Sequence, residues 1–283
     1  MTNGRKVVWG AVVLCGCFVF FIWTPLISQS QGMLTVSFLD VGQGDAIFIE
    51  SPSGRQVLID GGRDRSVLRE LPEVMPWGDR TIDIVIPTHP DADHVGGLID
   101  VFVRYDIQTV IASSVMGDTD LWRTLETEID NEGAEQLTAA RGQIIDFGDG
   151  AYMEILFPDR EVPHIETNTG SVVVRLVYGE TAFMLTGDAP VAIEKFLLAL
   201  DGERLASDVL KAGHHGSRTS SSKEFVGAVG PDFVVISRGC GNTYGHPHEE
   251  VTALFANMHI PVLDTCKNGR ITFVSDGVEV RQR

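Results

Sequence analysis

Residues 89–94 read His89-Pro90-Asp91-Ala92-Asp93-His94 and are followed by Val95-Gly96-Gly97. Two imidazoles and two carboxylates thus lie within six residues. All four can bind a divalent cation, and the combination suits zinc or manganese equally. The group comes directly after the apolar run Ile82–Ile86, and a strand ending in a tight loop can turn several such side chains into one pocket. A solvated acidic turn with two incidental histidines has the same composition, but nothing requires it to follow a buried strand. Further ligand types close later apolar runs. Asp188 ends TAFMLTGD, and His214 and His215 follow SDVLKAG. A carboxylate buried at a strand end is costly unless it is paired or metal-bound. One acid between two cations, with a distant histidine, would complete a two-metal site. The chemistry of such a site is hydrolysis: the ions lower the pKa of water from 15.7 to about 7 and stabilise the attacking and leaving oxygens.

The elements that must position these groups are short and strand-rich. Runs such as LTVSFLDV (34–41), DAIFIES (45–51), QVLID (56–60) and TIDIVIPT (81–88) are β-branched and bounded by Gly, Pro or Asp, the pattern of strands. Helical stretches are expected at Gly96–Tyr105 and Leu121–Asn131. A second series of strands begins at Gln143 with QIIDF, AYMEILF, SVVVRLVYG and TAFMLTG. A helix is expected at Val191–Leu200, then strands SDVLKAG (207–213) and DFVVISR (232–238), a helix at Glu249–Met258 and a strand RITFV (270–274). Strands, helices, strands, helices, strands in that order suit two packed sheets with helices outside. The 30 glycines fit many tight turns rather than a helix bundle.

Val7 to Ile27 carries no charge over 21 residues, long enough to cross a ~30 Å hydrocarbon core. Arg5 and Lys6 precede it and no Lys or Arg follows until Arg55, so the N-terminus is expected in the cytoplasm and the domain outside. A cleaved signal ending near Ser28-Gln29-Ser30 is the alternative, giving a secreted protein. Leu14-Cys15-Gly16-Cys17 also resembles a lipoprotein box. The chain thus divides into an anchor or signal segment, 1–32, and a hydrolase domain, 33–283. The net charge is −17, and removing the two cations of residues 1–32 leaves −19. An acidic surface repels a phosphate backbone, although bound divalent metals can restore local positive charge.

Taken together, His89-x-Asp91-x-Asp93-His94, Thr186-Gly187-Asp188 and His214-His215-Gly216-Ser217 resemble the successive motifs of the metallo-β-lactamase superfamily. Asp91 stands where the first motif usually has His. With Phe38-Leu39-Asp40-Val41-Gly42-Gln43-Gly44-Asp45-Ala46, Asp60-Gly61-Gly62, Asn168-x-x-Ser171 and Tyr244-Gly245-His246-Pro247, the pattern is similar to the ComEC-type hydrolase domain of DNA-uptake (competence) channels. The resemblance spans roughly residues 33–280. It implies an α+β fold, a four-layer αββα sandwich with its site at the sheet edge, here preceded by one transmembrane helix in place of a many-helix channel. It also implies two divalent ions, zinc or manganese. His89 and Asp91 would hold the first; Asp93, His94 and His215 the second; and Asp188 would bridge, so that Asp93 and Asp188 carry the catalysis. The family's middle histidine has no counterpart, because His164 in VPHIETN does not match.

Other residues keep two readings each. His214 is a ligand, a support for one, or a substrate contact. Asp45, Asp60 and Lys211 orient ligands or substrate, or cap turns. Asn168 and Ser171 bind a phosphate or ester oxygen, or cap a turn. His246 reaches the site or is structural. Cys240 and Cys266 form a disulfide, which a site outside the cytoplasm would allow, or remain buried thiols. The expected function is a phosphodiesterase or nuclease acting on DNA or another phosphodiester. The alternatives are hydrolysis of a small ester, phosphocholine, lactone or β-lactam, or a surface-anchored binding module with a degenerate site.

Overall fold

The computed structural model describes residues 32–283. The expected anchor at Val7–Ile27 lies outside these residues, and among the described ones no helix is long and apolar enough to cross a membrane. The first half runs β1 (Leu34–Phe38), β2 (Ile47–Glu50), β3 (Gln56–Ile59), α1 (Val67–Val74), β4 (Thr81–Ile86), α2 (Ala92–Val95), α3 (Leu98–Phe102), β5 (Asp106–Ala112), α4 (Asp120–Glu132) and β6 (Glu135–Thr138). The second runs β7 (Ile144–Asp146), β8 (Ala151–Phe157), β9 (Val173–Tyr178), β10 (Thr181–Leu185), α5 (Val191–Asp201), β11 (Val209–Lys211), α6 (Lys223–Val229), β12 (Phe233–Ile236), α7 (Glu249–Asn257), β13 (Val262–Asp264), α8 (Thr265–Asn268), β14 (Ile271–Ser275) and β15 (Val280–Gln282).

The strands form two sheets, ordered β15-β14-β1-β2-β3-β4-β5-β6 and β13-β12-β11-β10-β9-β8-β7. The last strands return to the first sheet, β14 pairing antiparallel to β1 from Leu34↔Ser275 to Phe38↔Ile271. Alternation within each strand builds the layers. Val36, Phe38, Ile47, Ile49, Ile84 and Ile86 meet Ile155, Val174, Phe183 and Leu185 between the sheets. Phe48, Leu58 and Val85 point the other way, under Leu71, Leu98 and Leu125 of α1, α3 and α4. Leu210, Val234 and Ile236 lie under Leu197, Phe225 and Phe255 of α5, α6 and α7. The result is helix, sheet, sheet, helix. Strands covered on both faces read as nearly unbroken apolar runs, and each such side chain contributes roughly 1.5–3 kcal/mol by leaving water.

β3, β4 and β5 are parallel, as are β10, β11 and β12. Parallel strands bring their carboxyl ends to a common edge, where α/β sheets bind ligands. The chemically capable residues sit there: Asp60 after β3, His89 to His94 after β4, Asp188 after β10, His214 and His215 after β11.

Of the expected helix Gly96–Tyr105 only α3, Leu98–Phe102, is helical, and Gly96 and Gly97 bend the chain between it and α2, which ends at Val95. A side chain at Gly96 would meet the Arg63 carbonyl oxygen at 2.1 Å, and one at Gly97 the Gly61 carbonyl oxygen at 2.1 Å. The bend therefore packs against the Asp60–Asp64 loop at a distance only glycine permits. α1 and β5 carry no signal strong enough to be read from the chain alone; α1 contains Pro72.

Candidate metal centre

Three buried imidazoles converge. His94, on α2, donates from Nδ1 to the Asp60 carboxylate at 2.7 Å, with Nε2 3.2 Å from Asp188 Oδ2. His215 donates from Nδ1 to the Ser237 carbonyl at 2.9 Å, with Nε2 3.4 Å from both Asp188 Oδ2 and Asp93 Oδ2. His89 Nδ1 is 3.0 Å from Thr88 Oγ1 and 3.3 Å from Ser171 Oγ, with Nε2 3.8 Å from Asp91 Oδ2. A carbonyl and a carboxylate can only accept, which places the proton of His94 and His215 on Nδ1. Thr88 Oγ1 donates to Asp60 at 2.8 Å and so accepts from His89. The ring of His89 lies 4.1 Å from that of His94, which lies 5.2 Å from that of His215. The Nε2 atoms of all three are buried without a hydrogen-bond partner.

Local backbone makes this possible. Asp60, His214 and His215 adopt φ of 59°, 49° and 55°, a left-handed conformation costing on the order of 1–3 kcal/mol for a residue with a side chain. At Asp60 three hydrogen bonds offset that strain: Oδ1 accepts from the Thr88 amide at 2.8 Å, and Oδ2 from Thr88 Oγ1 and His94. At His214 and His215 the turn is held by the Ser217 amide donating to the His214 carbonyl at 2.8 Å. Gly44 has φ of +119°, and a side chain there would meet the Asp93 carbonyl oxygen at 1.8 Å. That approach brings Asp45 under the centre.

Asp45 and Lys211 form a buried pair behind the imidazoles. Lys211 Nζ lies 2.5 Å from Asp45 Oδ2 and 3.3 Å from Asp188 Oδ1, and donates to the Gly187 carbonyl at 2.8 Å. Asp45, His94, Asp188 and His215 each offer a ligand-type atom within 4.8 Å of the others, so the four could hold a metal ion. Asp45, however, faces the Nδ1 edges of His215 and His94, at 3.4 and 3.9 Å. The free Nε2 edges face Asp188 and Asp93.

The electrostatics agree with a cation site. Burial opposes ionisation of Asp188, but His215, His94 and Lys211 hold its carboxyl well below the usual range. Burial also opposes protonation of His215, yet Asp188 and Asp45 push its pKa up to about 9. His94 is raised in the same way by Asp188 and Asp60 against its burial. Burial and the neighbouring His94 lower His89.

The remaining residues take varied places. Asp93 and Asp91 lie nearer solvent, with side chains 20% and 39% exposed. His214 Nε2 is 3.8 Å from Asp188 Oδ2, while its Nδ1 meets Thr219 Oγ1. Ser171 Oγ accepts from the Asp188 amide at 3.2 Å, behind His89. Asn168 lies in a 3-10 turn with Oδ1 buried and unpartnered. The ring of His246 is 5.3 Å from that of His214. His164 is exposed and stands outside the cluster. Cys240 and Cys266 are joined, with Cα atoms 5.0 Å apart. Thr88 and the Ser237 carbonyl escaped the sequence reading. Thr88 lies next to the motif and was detectable there, whereas a backbone carbonyl carries no residue signature.

The family model of the metallo-β-lactamase superfamily matches residues 39–239. The chain is 29% identical to ComE operon protein 3 of Bacillus subtilis (strain 168), over 95% of its own length and 36% of that protein. It is 31% identical to Competence protein ComA of Neisseria gonorrhoeae, over 94% of its length and 35% of that protein. It therefore spans about a third of these relatives. Among solved structures it is similar to Zn(2+)-bound PqqB from Methylobacterium extorquens, with a TM-score of 0.53, 13% identity, and coverage of 82% and 97% of the two chains. CmlA, a diiron beta-hydroxylase from Streptomyces venezuelae, gives a TM-score of 0.55 at 15% identity, covering 84% of this chain and 53% of that one. At such identities these two structures speak for the fold alone. Motifs, layered fold and family model agree: the chain belongs to the metallo-β-lactamase superfamily.

Proposed function

We propose that this domain is a two-metal phosphodiesterase acting on nucleic acid outside the cytoplasm. The observation that carries the reading is the set of three buried, unpartnered Nε2 atoms gathered around Asp188 and the Asp91–Asp93 segment. Buried polar nitrogens in proteins are nearly always bonded; the Nε2 lone pair of His89 has no donor beside it, and the acids around His94 and His215 favour a cation at their Nε2 atoms, a proton where no metal is bound. A divalent cation satisfies both sets. Charge supports two ions. Asp45, Asp60, Asp91, Asp93 and Asp188 stand against Lys211, a surplus of four negative charges with neutral imidazoles.

His89 and Asp91 would hold one ion and Asp93, His94 and His215 the other, with Asp188 available to both. Divalent ions bound there supply Lewis acidity, which makes water nucleophilic near neutral pH and neutralises charge developing on a phosphodiester. The chain supplies orientation. Asp60 and the Ser237 carbonyl fix the tautomers of His94 and His215, and Lys211 holds Asp188 Oδ1 so that Oδ2 faces inward. Asp45 serves as Lys211's counter-ion rather than as a ligand. One relative bears the name Competence protein ComA, which favours nucleic acid over a small ester. The uncharged segment 7–27 acts as a membrane anchor, and a disulfide in the domain suits an oxidising compartment.

The test is reconstitution with zinc or manganese, elemental analysis, and rates on bis-p-nitrophenyl phosphate and single-stranded DNA. One to two ions per chain with hydrolysis of both is the expected result. Fewer than about 0.2 ion per chain would overturn the metal reading, and loaded protein without phosphodiesterase activity would overturn the reaction.

A further inference from the structure

The loop between β12 and α7 is built with more restraint than its length requires. The disulfide Cys240–Cys266 ties its start to α8. Asn242 clamps it from inside, its Nδ2 donating to the carbonyls of Gly239 and His246 and its Oδ1 accepting from the His246 amide. Its end is docked on the metal-centre turn. The His248 amide donates to the Gly216 carbonyl at 3.0 Å, and Pro247 packs so close that a side chain at Gly216 would meet its Cβ at 2.6 Å. This fixed loop presents one aromatic ring to solvent. Tyr244 is 54% exposed, and one face of its ring stacks on His246 at 5.7 Å and 25°. His246 is nearly buried and borders His214, whose Nε2 reaches toward Asp188. An aromatic ring thus stands at the rim on a restrained loop, one imidazole removed from the metal-centre turn, with about half of its surface left to solvent.

The charge of the chain limits what could use that face. A net charge of −17 weakens the overall attraction to a phosphate backbone. Affinity for a polynucleotide would then rest on the ions at the centre and on contacts that do not depend on charge. Base–aromatic stacking is such a contact, and it accepts any base because every base has a π-face. Resting on the phosphodiesterase reading, we propose that Tyr244, backed by His246, is the stacking platform for an unpaired base of the nucleic-acid strand whose phosphodiester lies at the metal centre. A duplex keeps its base faces covered, so the platform selects single-stranded substrate.

The experiment uses the full chain and two pentamers with the same number of phosphates: pentathymidylate and a pentamer of stable abasic sites. Binding is read by fluorescence anisotropy on phosphorothioate-linked versions, which resist hydrolysis; turnover is read on the ordinary linkages. Wild type should bind the thymidine pentamer about tenfold or more tightly than the abasic one. Tyr244→Ala should collapse that preference toward unity in both binding and kcat/KM, and Tyr244→Phe should restore it. Absence of a preference in wild type, or its survival in Tyr244→Ala, overturns the platform. Bis-p-nitrophenyl phosphate separates the two proposals. If loaded wild type fails to hydrolyse it, the reaction assignment falls, while the binding ratio still decides the platform.

Discussion

Replacing Asp60 by Asn isolates the part of the site that never touches a ligand. Asp60 is wholly buried and accepts three hydrogen bonds, from the Thr88 amide, Thr88 Oγ1 and His94 Nδ1, at 2.8, 2.8 and 2.7 Å. Asn keeps the shape but has one oxygen and one amide group. If the oxygen stays with the Thr88 amide, two donors face Thr88 Oγ1 and His94 Nδ1. His94 relieves the clash by moving its proton to Nε2, the atom that faces Asp188. A ligand lone pair is then lost, and the cation must drive the proton back against the amide. Loss of such a support typically lowers metal affinity 10- to 100-fold, roughly 1.4–2.7 kcal/mol, comparable to one hydrogen bond to a charged group. Competition of zinc against a chromophoric chelator at pH 7.5 measures this, with circular dichroism confirming the fold. Affinity within twofold of wild type in a folded Asp60→Asn protein would refute the idea that Asp60 sets the tautomer of His94.

Three further outcomes are expected. Asp188→Ala should lower the phosphodiesterase rate by at least ~10²-fold, as for loss of a transition-state contact of about 3 kcal/mol; a folded variant with wild-type turnover would reduce Asp188 to a turn residue. In metal-free protein the His215 pKa of about 9 exceeds the ~6.5 of a free imidazole. The resulting stability, about 3 kcal/mol, is fully present below pH 6.5 and is lost as pH rises through 9. The melting temperature of metal-free protein should therefore fall over that range, while apparent zinc affinity rises because ions displace the proton; a flat profile of both quantities would contradict it. Protease added to intact spheroplasts should degrade the domain, and digestion only after lysis would reverse the proposed topology.

Much of this protein is legible along the chain because its signals are local. Apolar runs buried on both faces announced β1 to β4 and β8 to β12, and the density of ligand types after Ile86 announced the centre. β5 and α1 stayed hidden: β5 has exposed positions at Asp106 and Gln108, and α1 contains Pro72. What the tertiary structure decided is direction. Residue type says that His94 can bind a cation, but Asp60, 34 residues away, determines which nitrogen is free. The Ser237 carbonyl does the same for His215 without any side-chain signature. Asp45, an acid in a glycine turn, joins the cluster only because Gly44 lies against the Asp93 backbone, and Lys211 becomes its buried counter-ion only when β11 lies beside β10. The Cys240–Cys266 pairing likewise depended on how β12 and β13 lie side by side. Ligand types follow from composition and spacing, whereas lone-pair direction, tautomer and charge balance follow from the backbone geometry that brings distant residues together.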